Sequence, residues 1–125
     1  MLPYLQKHNI TLAIENMYGR NEHNKIVHCT MSCANHVNRT LKILNNPHYC
    51  ACLDIGHAHI LHEDSGVSFI KELGNQLKVI HLHDNTRVED DHLAPTLGTI
   101  DWHAVISALK AINYSGVCNL EAHGS

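Results

Sequence analysis

The sequence predicts an α/β fold built on a parallel sheet. Four short apolar runs have the character of β-strands, and longer segments with helical periodicity lie between them. Strands that alternate with helices form βαβ units, whose strands run parallel. The runs are almost continuously apolar, as expected for strands that are covered on both faces. They comprise residues 11–15 (TLAIE), 51–55 (ACLDI), 78–83 (KVIHLH) and 117–121 (VCNLE).

Two helices are predicted between the first three strands. In residues 32–44 the apolar positions follow the three-and-four spacing of one helix face, and Ser32 is a suitable N-cap. A shorter helix is expected over residues 65–73, with Gly74 as its C-terminal stop. Leu2 and Leu5 indicate a further helix before the first strand.

A third helix is predicted to follow Asp101, which is a suitable N-cap. Residues 84–98 before it form the longest irregular stretch, and loops of this length are commonly functional. The apolar side chains of this helix are expected to be buried; they are Trp102, Val105, Ile106, Leu109 and Ile112.

Length and charge limit the function. The 125 residues suffice for one small domain, and the net charge of −3 argues against a nucleic-acid partner. No apolar run approaches the roughly 18 residues of a membrane span, and the start MLPYLQKHN lacks the apolar stretch of a signal peptide. We therefore expect a cytoplasmic protein that does not contact membranes.

The cysteines do not indicate a metal site, whereas the number of histidines does. The five cysteines are odd in number and lack paired CxxC spacing, so we expect buried thiols rather than disulfides or a zinc cluster. The 13 histidines are an excess that favours a functional site, because imidazole is the commonest metal ligand. Surface or packing roles are expected for nine of them: His8, His23, His28, His36, His48, His59, His62, His103 and His123.

Each predicted strand ends in an acidic or metal-competent residue. The carboxyl ends of parallel strands meet at the same edge of a sheet, so these residues are expected to converge. A single one of them would be read as a helix cap or a rim ion pair, but four in four strands favour one divalent-cation site. The mixed oxygen and nitrogen set suits Mn²⁺, Mg²⁺, Co²⁺ or Zn²⁺. The candidate ligands are Glu15, Asp54, His81 with His83, and Glu121.

Alternation along the third strand leaves one choice open. His81 and His83 point to the same side, with Leu82 facing away. Only one of the two need be a ligand, and the other would line the pocket or orient a neighbouring ligand.

Four segments resemble the metal-site motifs of the xylose-isomerase-like TIM-barrel superfamily. This superfamily includes sugar isomerases, ketose epimerases, inositol-pathway enzymes and zinc-dependent apurinic endonucleases. The resemblance implies a single partial domain over residues 1–125, a parallel (β/α) half-barrel that corresponds to strands 5–8 of a TIM barrel. The segments are IENMYGR (14–20), CLDIGHAHI (52–60), VIHLHDNTRVEDDHLAPTLGTIDW (79–102) and NLEAH (119–123).

The resemblance makes Glu15, Asp54, His81 and Glu121 the predicted ligands, and it also assigns roles around the cation. It makes His57 a substrate contact in an epimerase or a ligand of a second metal in a nuclease, and it makes Arg87 a substrate-binding residue. Asp90 and His92 resemble the Asp-x-His pair that holds an additional zinc in the nucleases, although sugar enzymes keep a similar stretch. Thr96 departs from the glycine that is commoner at its position in this stretch.

The activity that the resemblance implies is metal-dependent sugar isomerisation or epimerisation. The cation would polarise a carbonyl of a small sugar or polyol-derived substrate, while Glu15 and Glu121 remove and return a proton at the neighbouring carbon through an enediolate. A hydride shift at the same cation is the variant open to an isomerase. The alternatives are a zinc-dependent apurinic endonuclease-like phosphodiesterase, whose earlier-strand histidine ligands lie outside this sequence, and an inactive metal-binding fragment.

A half-barrel leaves strand edges unpaired. A complete (β/α)₈ barrel takes about 250 residues, and an open half exposes an apolar interior. We therefore expect either a homo-oligomer or a complementing half-barrel.

Overall fold

A computed structural model describes residues 1–123 as a parallel sheet with helices packed against one face. The strands are β1 (Leu12–Glu15), β2 (Gly19–Arg20), β3 (Ile26–Val27), β4 (Tyr49–Asp54), β5 (Leu77–Leu82) and β6 (Val117–Leu120). The helices are α1 (Leu2–His8), α2 (Ala34–Leu44), α3 (Ile55–Leu61), α4 (Val67–Leu73) and α5 (Trp102–Ala111), and a short 3₁₀ turn covers Gly74–Gln76.

The main sheet confirms the predicted α/β class. Its four strands run parallel in the order β1–β4–β5–β6, and each lies within two residues of a predicted run. The hydrophobic core fills the space between this sheet and helices α2, α4 and α5. Leu53 and Ile80 contribute the sheet side and Phe69 the helix side, and all three are buried. The opposite face of the sheet is the inner wall on which the predicted ligands lie.

Two of the predicted helix ends are confirmed, and one is wrong. The Asp101 carboxylate accepts a hydrogen bond from Ala104 N at 2.9 Å, and Gly74 ends α4 with φ of 51°. Ser32 does not cap α2, because that helix begins at Ala34 after Cys33. The Ser32 hydroxyl instead accepts from Cys29 N at 3.0 Å, closing a local turn before the helix.

Two elements of the fold were not predicted, and two predictions of burial are wrong. Helix α3 begins directly after β4 with no intervening loop, and β2 and β3 form a small antiparallel hairpin. Ile106 in α5 is 49% exposed, which contradicts its predicted burial, since α5 turns this side chain away from the core. Cys118 is also exposed, although Cys50 and Cys52 are buried as expected; all five cysteines are free.

The long stretch after β5 is ordered around Asp84. This carboxylate is fully buried and accepts hydrogen bonds from three backbone N–H groups and from the Trp102 indole. An antiparallel bridge joins Asp84 to Leu93 across the loop. The loop therefore has a fixed course, which returns its middle section to the carboxyl ends of the strands. Across the described part of the chain, every helix is too short or too polar to cross a membrane.

Candidate metal centre

The four predicted ligands lie together at the carboxyl ends of the strands. His81 Nδ1 lies 3.3 Å from a carboxylate oxygen of Glu15 and 3.3 Å from one of Glu121. The same nitrogen lies 3.7 Å from Asp54 Oδ2. Glu15 and Glu121 reach this point from the two outer strands of the sheet, which shows how strongly the sheet curves.

The surroundings of His81 Nδ1 suit a divalent cation. This nitrogen is buried and has no hydrogen-bond partner among the described residues. Ligand atoms placed about 2.1 Å from one metal lie about 3.0–3.4 Å from each other, close to the spacings found here. An unpartnered nitrogen that faces three carboxylates costs free energy unless a cation or proton lies between them. The residues present therefore fit the implied metal.

Asp54 is held by its own hydrogen bonds. Its Oδ1 accepts from His57 N at 2.7 Å, which caps α3, and His83 Nε2 approaches its two oxygens at 2.9 and 3.0 Å. The Asn16 side chain pairs with the Asp54 backbone, accepting from Asp54 N at 2.7 Å and donating to Asp54 O at 3.0 Å. Asp54 thus caps α3 and also lies among the predicted ligands.

His83 contacts Asp54, whereas His81 faces all three carboxylates. The His83 ring is fully buried, and burial lowers its pKa, but the hydrogen bond to Asp54 and the negative charges of Asp54 and Asp90 together raise the pKa of His83. Gly56 makes room for this ring, because a Cβ at Gly56 would lie 2.0 Å from His83 Cε1. The tertiary structure thus separates two histidines that alternation alone left equivalent.

His57 joins the cluster to the long loop. His57 Nδ1 donates to Asn16 O at 3.1 Å, and its Nε2 lies 3.2 Å from Asp90 Oδ2. Burial opposes a charged imidazole, but the hydrogen bond to Asp90 and the nearby Asp54 carboxylate raise the pKa of His57 to about 9. The His57 partner conversely holds the pKa of Asp90 below its ordinary value, despite burial. His57 and Asp90 therefore form an ion pair beside the predicted ligands.

Asp90 and His92 are brought to the centre, whereas Arg87 is not. His92 Nε2 lies 3.5 Å from Asp90, and the His92 ring stacks on His83 with 4.0 Å between the ring centroids. Arg87 is exposed and donates to the Glu63 carbonyl at 2.6 Å. Its predicted substrate contact stays a prediction, because the structure holds it away from the carboxylates.

Several residues of the centre were not predicted. Asn16 follows Glu15 directly, and its link to the Asp54 backbone holds the ends of β1 and β4 together. Cys52 lies close to Glu15 and His81, and burial raises its pKa to about 12, so it stays a neutral thiol. Tyr18 OH lies 3.4 Å from Asp90. Their signal in the sequence was their position within two of the segments that carry the resemblance, residues 14–20 and 52–60.

A groove of about 620 Å³ opens at the opposite ends of the strands. It is lined by residues such as Thr11, Tyr49 and Lys78, at the amino ends of β1, β4 and β5. The groove therefore lies at the amino ends of the strands on the inner face of the sheet, away from the predicted ligands at the carboxyl ends.

A family model described as xylose isomerase-like TIM barrel matches residues 1–125. The chain belongs to this family. Among curated relatives of this barrel, the uncharacterized protein y4fM of Sinorhizobium fredii is 39% identical over 70 residues, which are 56% of this chain and 22% of that protein. Mannonate dehydratase of Oceanobacillus iheyensis is 32% identical over 84 residues, 62% of this chain and 24% of that protein.

Solved structures show how much of the barrel is present. A D-tagatose 3-epimerase-like protein superimposes with a TM-score of 0.78 and 25% identity, covering 97% of this chain and 43% of its own. The IOLI protein, determined with a bound zinc atom, gives a TM-score of 0.69 and 22% identity over 97% of this chain and 43% of its own. The chain thus spans about two fifths of these barrels, which confirms the predicted half-barrel.

Proposed function

We propose that this half-barrel carries the catalytic metal centre of a sugar isomerase or epimerase that works by proton transfer. One observation carries the proposal: carboxylates from the two outer strands, Glu15 and Glu121, lie at equal distances of 3.3 Å from His81 Nδ1. Inversion of a carbon centre requires two bases, because the proton leaves one face and returns to the other, and the two outer strands supply two carboxylates at one point.

The proposed metal ligands are Glu15, Asp54, His81 and Glu121. A bound divalent cation supplies Lewis-acid polarisation of the substrate carbonyl, which acidifies the neighbouring C–H bond. Asp54 is fully buried and fixed by His57 N and His83, so it provides a rigid position in the set. The mixed oxygen and nitrogen ligands suit Mn²⁺, Mg²⁺, Co²⁺ or Zn²⁺, and the zinc atom of the IOLI structure agrees with this range.

The two glutamates remain accessible to a substrate. The side chains of Glu15 and Glu121 are 32% and 29% exposed, whereas Asp54 is completely enclosed. We assign them the removal and return of the proton, and we assign His57 to a substrate hydroxyl, because its Nε2 reaches Asp90 at the edge of the centre. Arg87 would contact substrate only after leaving the Glu63 carbonyl.

The substrate class is proposed from the relatives. A solved relative is a D-tagatose 3-epimerase-like protein, and a curated relative is a mannonate dehydratase; their names refer to small sugars or sugar acids. We propose a small ketose or polyol-derived carbonyl compound as the substrate. We also propose that a second copy or a complementing half-barrel closes the inner wall. Light scattering that gives a stable compact monomer at micromolar concentration would contradict this assembly.

The activity is tested by proton exchange. We expect one Mn²⁺ per chain by calorimetry, and we expect ketohexoses such as D-tagatose incubated in D₂O to gain deuterium at the carbon that changes configuration. The Glu121→Gln variant should lower turnover by about 100-fold or more, because a general base is removed. Glu22→Gln, an exposed glutamate in the β2–β3 hairpin, is the matched control. Failure to bind Mn²⁺, or full turnover in Glu121→Gln, would refute the proposal.

A second candidate is a zinc-dependent apurinic-site nuclease. It is favoured by the additional group of His83, Asp90 and His92, which are close enough together to hold another metal ion. The reaction catalysed by the metal-loaded protein distinguishes the candidates. Zinc-dependent cleavage of abasic DNA would establish the nuclease, whereas ketose interconversion without such cleavage would establish the sugar enzyme. One bound ion with neither activity would identify an inactive metal-binding half-barrel.

A further inference from the structure

A second group of metal-competent side chains lies apart from the carboxylate centre. His28 and Cys33 come from the loop between β3 and α2, and His62 directly follows α3. One potential ligand atom from each residue lies within 4.8 Å of the other two. None of the three belongs to the ligand set proposed above, and each was predicted to have a surface or packing role.

Ser32 fixes the protonation of His62. His62 Nε2 lies 2.7 Å from the Ser32 carbonyl oxygen, which can only accept a hydrogen bond. The proton of a neutral His62 is therefore on Nε2, and its Nδ1 carries a free lone pair. Metal-binding histidines characteristically donate their other N–H to a carbonyl in this way.

Ser32 also fixes the protonation of His28. The Ser32 hydroxyl donates its only proton to the Cys29 carbonyl at 2.8 Å. His28 Nδ1, at 3.1 Å from Ser32 Oγ, must then be the donor of their hydrogen bond. The free lone pair of His28 is consequently on Nε2. One buried serine thus determines which nitrogen of each imidazole carries a free lone pair.

The group is held in place by packing as well. The His28 and His62 rings meet edge to face, with 5.4 Å between their centroids. The His62 ring also meets the Phe69 ring edge to face, with 5.3 Å between their centroids. Phe69 is a fully buried core residue. His28 itself is exposed and Cys33 is partly exposed, so an ion can enter from solvent.

We propose that His28, Cys33 and His62 form a second metal site, for Zn²⁺ or another thiol-preferring divalent ion. Two imidazoles and one thiolate favour Zn²⁺ over Mg²⁺ or Mn²⁺, which prefer oxygen ligands. Three protein ligands leave a fourth position for water. The ion would join the loop before α2 to the end of α3. This site is independent of the sugar-enzyme proposal.

Cobalt substitution combined with cysteine variants distinguishes the two sites, because Cys33 belongs to the second group whereas Cys52 lies beside the carboxylate centre. We expect Co²⁺ added to the apoprotein to give a thiolate-to-metal charge-transfer band that is lost in Cys33→Ser. Cys29→Ser and Cys118→Ser should keep the band, since neither residue belongs to the group. A band that is absent in the wild type, or that persists in Cys33→Ser, overturns the proposal.

Zinc affinity provides the second measurement. His28→Gln and His62→Gln keep an N–H donor for Ser32 but lose the ligand nitrogen, so each should weaken Zn²⁺ binding at this site by about 10-fold or more in a chelator competition. Glu121→Gln serves as the converse control and should leave the cobalt–thiolate band unchanged. Circular dichroism identical to wild type would show that the glutamine variants fold. Unchanged affinity in both folded variants would refute the site.

Discussion

Two buried aspartates of this protein have opposite surroundings. Asp54 and Asp84 are both completely enclosed. Asp84 accepts from three backbone N–H groups and the Trp102 indole, donors that cannot lose their protons near neutral pH. Asp54 accepts one backbone N–H, but its other near neighbours are imidazoles and carboxylates. A carboxylate fully satisfied by backbone donors supports a loop, whereas one left facing titratable groups retains capacity for a cation.

The histidines near the two aspartates differ in the direction of their pKa shifts. At Asp54, the pKa of His57 rises to about 9 because Asp90 and Asp54 offset the cost of burial. On the Asp84 side, burial and the positive charge of Arg87 lower the pKa of His59 to about 4. His59 Nε2 lies 2.9 Å from Thr99 Oγ1 and its Nδ1 2.9 Å from Ser65 Oγ, so hydroxyls satisfy a neutral ring. Structural and chemical histidines are thus distinguished by their partners.

The largest effect is expected for Asp84→Asn. The NH₂ group of the new asparagine would face backbone and indole N–H donors that now bond to a carboxylate oxygen, leaving those donors without an acceptor. The free energy of unfolding should therefore fall by about 3–5 kcal/mol. Urea unfolding measures the loss. Asp91→Asn, at an exposed position in the same loop, should change stability by less than about 0.5 kcal/mol. Equal stability of the two variants would show that the Asp84 carboxylate does not stabilise the loop.

Asp54→Asn should act on metal binding more than on folding. The amide keeps an oxygen that can cap α3 at His57 N, but it loses the charge that faces His81. We expect Mn²⁺ affinity to fall by about 100-fold or more, since even outer hydrogen-bond partners commonly contribute 10–100-fold. Calorimetric titration provides the measurement. Wild-type affinity in a folded Asp54→Asn protein would show that Asp54 is only a helix cap.

The neutral state of His59 predicts a dependence of stability on pH. Its folded pKa of about 4 lies below the ordinary 6.5, so the unfolded chain binds more protons between these values. The contribution of neutral His59 to the free energy of unfolding is therefore fully present above pH 6.5. It is lost as the pH falls toward 4, by an amount on the order of 2 kcal/mol. Urea unfolding across this range should give a shallower slope in His59→Gln. The exposed His103→Gln should keep the wild-type slope.

The smallest effect is expected for Gly56→Ala. The added Cβ would displace the His83 ring from Asp54, weakening Mn²⁺ binding by about 10-fold without removing a ligand. Gly74→Ala is the control, because a Cβ there meets no atom within 4 Å, although its positive φ strains an alanine. If Gly56→Ala bound Mn²⁺ as tightly as Gly74→Ala, His83 would have no part in positioning Asp54.

Much of the fold was predictable because its signals are local. The four apolar runs and the caps at Gly74 and Asp101 appear in windows of a few residues. Helix α3 was missed because Asp54 ends a strand and caps the helix at once, leaving no loop to mark the change. Ser32 was misassigned because its hydroxyl satisfies Cys29 rather than the first turn of α2. In both places a side chain bonds to a backbone group that the local sequence pattern does not identify.

By itself, the sequence determined that Glu15, Asp54, His81 and Glu121 lie at or just beyond strand ends, because the hydrophobic period that defines a strand also places the residues ending it. Only the tertiary structure decided which histidine faces the carboxylates. His83 bonds Asp54 across 29 residues of sequence. It likewise decided that Asp84 supports the loop, since donors as far away as Trp102 satisfy it. Those contacts depend on sheet curvature and loop closure, which no short window of sequence encodes.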